Sequence, residues 1–216
     1  MYSIAEENYL KSLFNLANED DVIHLKEIGK WLDVKMSSVT NMMKRFADKG
    51  LVHYENYKPV RLTEAGKREA ALIIRKHRLT EMYLVEKMGF GWEKVHSIAE
   101  QIEHIHAPDL FDKMDEILGF PTVDPHGSPI PDKEGNIVQI QHKTLSECKI
   151  GDKAKLMAVR QSSSDFLSYL NSRELHLGET VEVKEIEAFD GTMKIVYGAD
   201  RTEILSKKVC DMLLVR

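Results

Sequence analysis

The stretch His96 to His106, HSIAEQIEHIH, holds three histidines and two glutamates in eleven residues, and no lysine or arginine. Imidazole nitrogens suit borderline divalent ions and carboxylate oxygens suit hard ones. On a helix, His96, Glu100, Glu103 and His104 stand at offsets of four, seven and eight and share one stripe. His77 and Glu81, four apart in the preceding segment, share a face in the same way. Six of the nine histidines lie between 77 and 142, so the concentration is regional. Acids and neutral imidazoles converging from two helices, with no lysine on the stripe, suit a divalent cation that supplies the missing positive charge. One His-x3-Glu pair alone reads as a solvated pair; this many on consecutive helices point to a metal. His106 falls off the stripe and reads as solvated, or as a cap near Pro108.

Metal-assisted hydrolysis would need an open coordination position, a general base and a cleft. The chain has no HExxH, no Gly-rich phosphate loop and no nucleophile motif, so it does not read as an enzyme. With 216 residues, 43% hydrophobic and 30% charged, it has the composition of a soluble globular protein, and its length suits one to two domains, or three small ones. No apolar run approaches the roughly eighteen residues of a membrane span, and MYSIAEENYLKSLFNL lacks the basic start and apolar stretch of a signal peptide. Cys148 and Cys210 are too few for a disulfide framework, so a cytoplasmic setting is expected. Residues 1–76 hold 13 Lys+Arg against 11 Asp+Glu, and the remainder 17 against 24. A mildly basic front on an acidic body fits a DNA-reading module joined to something else.

The elements that must carry these residues follow from periodicity. EENYLKSLFNLANED puts Tyr9, Leu10, Leu13, Phe14 and Leu16 on one helical face. HLKEIGKWLDV turns Leu25, Ile28, Trp31 and Leu32 inward. KMSSVTNMMKRFADKGLV predicts a helix capped by Ser37, burying Val39, Met42, Met43 and Phe46 and ending at Gly50. Two short helices joined by a tight turn make a helix-turn-helix. The second presents Ser37, Ser38, Thr40 and Asn41, short enough to meet base edges, and then Lys44 and Arg45 for phosphates. LVHYEN and KPVRLTEAGK read as a hairpin, or wing, carrying Tyr54, Tyr57, Lys58 and Arg61, with Thr63 capping the next helix. That long helix runs from Glu64 towards Gly89, and the next starts near Trp92 and carries the His/Glu stripe. PHGSPIPDKEGNIVQ reads as a linker. Beyond it IGDKAKLMAV, GETVEVKEIEAF, GTMKIVYG and TEILSKKVCDMLLV read as strands, interrupted by one helix, SSDFLSYLNSREL.

The winged-helix order together with RKHRLTE, VHSIAEQIEH and LGFPTVDPHGSPIP resembles the diphtheria toxin repressor family of iron- and manganese-dependent transcriptional regulators, over essentially the whole chain. The resemblance implies a mainly α fold with β: an N-terminal winged helix-turn-helix, a helical metal-binding and dimerisation domain, and a C-terminal SH3-like β-barrel domain. Boundaries at 1–73, 74–140 and 147–216 fit it. It implies two metal sites per subunit. One would take Glu100, Glu103 and His104 with Asn8 of the first helix. The other would take His77, Glu81 and His96, with Asp124 and His126 of the DPHG turn as candidates, as in the manganese-sensing branch. Asp165, near the start of the C-terminal helix, stands where the family sends a further ligand, and helix capping explains it equally well.

Two positions depart from the pattern. Glu100 stands where the iron-sensing branch has a cysteine, and a carboxylate favours a harder ion such as Mn(II). Asn8 replaces an aspartate, and Lys11 an acidic residue, of manganese sensors. The chain is thus expected to be a cytoplasmic homodimeric repressor that binds double-stranded operator DNA when loaded with Mn(II) or Fe(II), away from membranes, and controls metal-homeostasis genes. A winged-helix regulator sensing a small organic ligand, or a cytosolic metalloprotein that binds no DNA, are the rival readings.

Overall fold

The computed structural model describes residues 1–17, 21–138 and 140–216. Asn18, Glu19 and Asp20 at the end of the expected first helix, and Gln139 of the expected linker, lie outside the described residues. The chain forms two compact units, each threaded by separate segments. One comprises Met1–Thr80, Ala99–Thr122 and Ile130–Val138; the other comprises Glu81–Ile98, Val123–Pro129 and Gln139–Arg216.

The first unit opens with α1 (Ile4–Leu16), α2 (Leu25–Trp31) and α3 (Met36–Asp48), followed by the hairpin β1 (Val52–His53) and β2 (Arg61–Leu62). Ser3 caps α1 with Glu6 in a reciprocal capping box, which fixes where the helix begins. Leu10, Leu13, Ile28, Val39, Met43 and Phe46 are fully buried against one another, each side chain contributing about 1.5–3 kcal/mol. α3 starts two residues earlier than expected, after Lys35, so Ser37 lies exposed in the first turn rather than capping it. Trp31 is also corrected: it is 55% exposed. The inward stripe of α2 runs Leu25, Ile28, Gly29, Leu32, because Gly29 is where α2 meets Val34 and Val39, and Trp31 falls between those positions. Gly50 follows the α3 C-cap with φ +70, as a helix terminator should.

Thr63 caps α4 (Glu64–Glu86): its Oγ1 accepts from Gly66 N at 3.0 Å and donates to the Gly50 carbonyl at 2.7 Å. A Cβ on Gly66 would lie 2.0 Å from the Leu51 carbonyl oxygen, so only glycine lets α4 start so close to the wing. α5 (His96–Ile102) is shorter than expected. Residues 92–95 form a turn, and Glu103 and His104 lie in the turn after the helix. Its last bonds tighten to Ile105 N on Ile102 O, with Pro108 opening α6 (Pro108–Leu118) shortly after. Arg75 of α4 donates to Asp115 of α6 at 2.5 Å and to the Pro131 carbonyl at 2.7 Å, tying three segments of this unit together.

The second unit is built on a six-stranded sheet of order β3-β8-β4-β5-β6-β7: β3 (Lys143–Thr144), β4 (Lys153–Val159), β5 (Thr180–Ile186), β6 (Met193–Tyr197), β7 (Arg201–Leu205) and β8 (Leu213–Val215). Its described neighbours pair antiparallel. α7 (Ser164–Asn171) and a short α8 (Lys207–Cys210) interrupt the strands. Alternation along β4 and β6 places Ala154, Leu156, Met193, Ile195 and Tyr197 in the core with Leu167 and Leu170 of α7. Cys148 and Cys210 are both buried and free within it. Burial pushes the Cys210 thiol up to about 12, so it behaves as an apolar core residue.

Candidate functional site

The expected His/Glu stripe divides between two clusters. In the first unit, Glu103 is fully buried, and its carboxylate accepts from Lys11 Nζ at 2.7 and 3.0 Å and contacts His77 Nδ1 at 2.5 Å. Glu100 is half exposed and lies 3.4 Å from the same ammonium. Burial pushes the Glu103 carboxyl up, but the His77 bond and the Lys11 charge outweigh it and hold it below the ordinary value. Beside it, His104 Nδ1 lies 2.5 Å from Glu7 Oε2, and Lys76 Nζ lies 3.4 Å from Glu7 Oε1. Glu7 and Lys11 are one turn apart on α1, so a single helix face brings both to the end of α5. Asn8 is half-buried one residue from Glu7, and the residue of α1 that meets His104 is Glu7. The sequence stripe had no cation of its own; α1 and α4 bring two.

In the second unit, Glu81 of α4, Asp124 and His126 are all buried, and each offers one ligand atom within 4.8 Å of the others. Glu81 Oε1 is 3.2 Å from His96 Nδ1, and its Oε2 is 3.5 Å from His126 Nδ1. His126 Nε2 lies 2.9 Å from the Trp92 carbonyl. A carbonyl only accepts, so Nε2 carries the hydrogen, and Nδ1, on the side of the carboxylates, presents a lone pair to a cation when the ring is neutral and donates towards Glu81 when the ring is protonated. That is how a metal-ligating imidazole is oriented. Burial pulls the His126 pKa down, and Glu81, Asp124 and the Trp92 carbonyl outweigh it, so the net shift is upward. Asp124 Oδ1 accepts from the backbone N–H groups of His126 and Ser128, which folds the DPHG turn and aims its side chains. Gly127 sits at φ +85, and a Cβ there would lie 2.3 Å from the Met157 carbonyl oxygen, so the turn needs glycine to lie against β4. The Val159 N–H donates to the His126 carbonyl at 3.0 Å and completes the anchoring.

Trp92 is a positioning residue that spacing does not reveal. Its ring stacks on His126 with centroids 5.8 Å apart, and its Nε1 donates to Asn171 at the end of α7 at 2.7 Å. His77 and Glu81 are one turn apart on α4, as expected. Asp165 is exposed in the first turn of α7, and His106 is exposed. The two carboxylates and imidazole of Glu81, Asp124 and His126 suit a divalent ion that takes oxygen and nitrogen together, such as Mn(II) or Fe(II).

On α3, Ser37, Ser38, Asn41, Lys44 and Arg45 are exposed and Thr40 is half-buried. Of these, Thr40 and Lys44 line a cleft of about 820 Å³, together with Lys26, Tyr54, Tyr57 and Lys58. Tyr57 is fully exposed at the wing tip with φ +64, and Lys58 pairs with Glu55 at 2.5 Å. Arg45 and Lys49 converge on buried Glu6 of α1 at 3.1 and 2.6 Å. The Lys49 bond, chief among several, holds the Glu6 carboxyl at about 2. Adjacent residues of α1 thus reach the recognition helix, through Glu6, and the Glu103 cluster, through Glu7. Glu6 thus both caps α1 with Ser3 and reaches Arg45, 39 residues away.

Comparison with known proteins agrees with this organisation. Residues 1–60 match the iron-dependent repressor N-terminal DNA-binding domain, 63–132 the iron-dependent repressor metal-binding and dimerisation domain, and 143–216 the FeoA domain. The chain is 34% identical to the iron-dependent repressor IdeR of Mycobacterium bovis over 125 residues, 58% of this chain and 54% of that protein. It therefore spans about half the length of the mycobacterial relatives it matches. It is 26% identical to the diphtheria toxin repressor of Corynebacterium efficiens over 190 residues, 82% of this chain and 81% of that one. A manganese-dependent transcriptional repressor solved in complex with manganese superposes with a TM-score of 0.88 at 29% identity, over 97% of this chain and 98% of that one. With a winged helix-turn-helix, a helical second region carrying the His/Glu clusters and a small C-terminal β domain, the chain belongs to the diphtheria toxin repressor family of iron-dependent repressors.

Proposed function

We propose that this chain is a metal-dependent transcriptional repressor of the cytoplasm, binding double-stranded operator DNA as a homodimer when loaded with Mn(II) or Fe(II). The observation that carries the reading is the buried convergence of Glu81, Asp124 and His126, with His96 beside Glu81, in a chain that begins with a winged helix. Glu81, His96, Asp124 and His126 would hold the ion, with His77 one turn before Glu81 on α4. A divalent ion there supplies positive charge among buried carboxylates. The resemblance implies a second ion at Glu100, Glu103 and His104, where Lys11 already lies.

On the DNA side, Asn41 with Ser37, Ser38 and Thr40 would read base edges, while Lys44, Arg45, Tyr57 and Lys58 would hold the backbone. A dimer must present its two recognition helices about one DNA turn apart, roughly 34–36 Å, or a multiple of it. Operator affinity then depends on how often the chain holds that spacing. A state that binds metal better is populated by metal, and DNA reciprocally tightens metal. Operator affinity of the metal-stripped chain, titrated with Mn(II), Fe(II) and Zn(II), tests the proposal. Mn(II) or Fe(II) should raise it; an operator affinity indifferent to all three would defeat the reading.

A further inference from the structure

Lys11 has an unusual place for a lysine. Its side chain is 12% exposed, and its ammonium lies against both oxygens of a carboxylate that is itself fully buried, with a second carboxylate, that of Glu100, 3.4 Å away. Burying a lysine is costly unless its charge is matched, and here two acids match it. The neighbouring Lys76 gives Glu7 a cation in the same way. Carboxylates and imidazoles gathered on α1, α4 and α5 therefore meet positive charge from the chain itself. A divalent ion at Glu100 and Glu103 would have to expel the ammonium or bear its repulsion at contact distance.

We propose that Lys11 is a resident cation of this cluster. Its ammonium takes the place of a divalent ion at Glu100 and Glu103, so this cluster admits no such ion and each subunit binds one ion fewer than two full clusters would. The same ammonium docks α1 on the end of α5 when no metal is present. Metal sensing is thereby left to the cluster around Glu81, and in that respect the inference rests on the function proposed above. Lys11 acts as a determinant of metal stoichiometry.

The test uses the full chain, stripped of metal and titrated with Mn(II) by calorimetry, with elemental analysis of the washed protein. The wild type should take about one ion per subunit, Lys11→Met about two, and Lys11→Arg, which keeps the charge, about one. Hydrogen exchange gives a readout independent of DNA. Amides of α1 should be protected in the metal-free wild type and unchanged by Mn(II), whereas in Lys11→Met their protection should appear only with Mn(II). Two ions in the wild type, equal counts in wild type and Lys11→Met, or wild-type α1 protection that requires Mn(II) would each overturn the inference. Should Lys11→Met fail to fold, the wild-type count and exchange pattern still decide. No ion in the wild type with one in Lys11→Met would uphold the role of Lys11 while removing the reading of the Glu81 cluster.

Discussion

The clusters around Glu103 and Glu81 use the same side-chain types and differ in what faces the carboxylate. Glu103 meets an ammonium and an imidazole, Lys11 and His77. Glu81 meets two imidazoles, His96 and His126, and a second buried acid, Asp124, stands within ligand distance. An ammonium is a fixed, saturated cation: it satisfies the acid and closes the position. An imidazole oriented by the Trp92 carbonyl leaves a lone pair pointing at the acids, and only a further cation can use it. The same alphabet therefore gives an ion-pair network in one place and, in the other, a set of ligand atoms spaced as a metal ion would need.

This contrast makes replacement of the two carboxylate sets behave differently. Glu103→Ala would leave the Lys11 charge buried with only half-exposed Glu100 beside it, and should destabilise the metal-free chain by about 3–5 kcal/mol, the usual cost of breaking a buried pair. Thermal or urea unfolding of the stripped protein measures it, and a loss below 1 kcal/mol would mean that the two clusters are of one kind. His126→Ala removes a buried ring from Trp92 and Glu81 and so also costs the metal-free chain stability, but its distinguishing effect should be to weaken Mn(II) binding by roughly 100-fold or more, beyond the range seen for outer-shell partners. Calorimetric Mn(II) titration reads this directly, and full retention of affinity would remove the Glu81 cluster from the metal assignment.

Neither Glu103→Ala nor His126→Ala should alter sequence preference, since the residues proposed to read bases lie on α3. Asn41→Ala should loosen discrimination at one base position per half-site by about 1–3 kcal/mol if it pairs with adenine. Lys44→Ala should weaken all duplexes alike and lower the salt slope by about one. Titrating matched and mismatched duplexes at two salt concentrations separates them, and exchanged outcomes would show the helix seated differently in the groove.

The smallest expected effect is a pH dependence that links α1 to α3. Glu6, held at about 2 against an ordinary 4.5 chiefly by the Lys49 bond, contributes stability that is complete above 4.5 and lost as pH falls towards 2. Glu6→Gln should therefore lower stability at neutral pH, where the ion pairs are complete, flatten the acid limb of the unfolding curve in that window, and converge with the wild type towards pH 2. Acid titration followed by circular dichroism checks it; an unaltered limb would mean that Glu6 does not clamp Arg45 and Lys49 in solution.

Much of the molecule was legible in local pattern. Leu10, Leu13, Val39, Met43 and Phe46 announced their helices because burial follows a 3.6-residue period. Thr63 and Gly50 announced helix ends because capping needs particular side chains or backbone freedom. The donors at 77, 81, 96, 100, 103 and 104 were visible because metal chemistry admits few residue types. Periodicity failed where a partner outside the element decided. Hydrophobicity predicts Trp31 inward, yet α2 turns its Gly29 face to Val34 and Val39 and leaves Trp31 55% exposed. The second His/Glu helix is shorter than its spacing predicts, and Trp92, outside it, is committed to Asn171 and His126.

The sequence by itself determined which atoms were available: imidazoles and carboxylates at helical spacing, a polar then cationic face on α3, and a glycine that permits the DPHG turn. Tertiary structure alone decided which carboxylate received which cation. Lys11 and Glu103 are 92 residues apart, and His104 and Glu7 are 97. Spacing fixes neighbours within a helix, where one turn separates i from i+4, but it carries no information about which face of a distant helix will lie opposite. Charge balance within a buried site is set by those distant faces, because the desolvation cost of an acid can be met by any cation the fold delivers. So a lysine on α1 could turn one half of a single His/Glu stripe into an ion-pair network, while the other half keeps its imidazoles against acids.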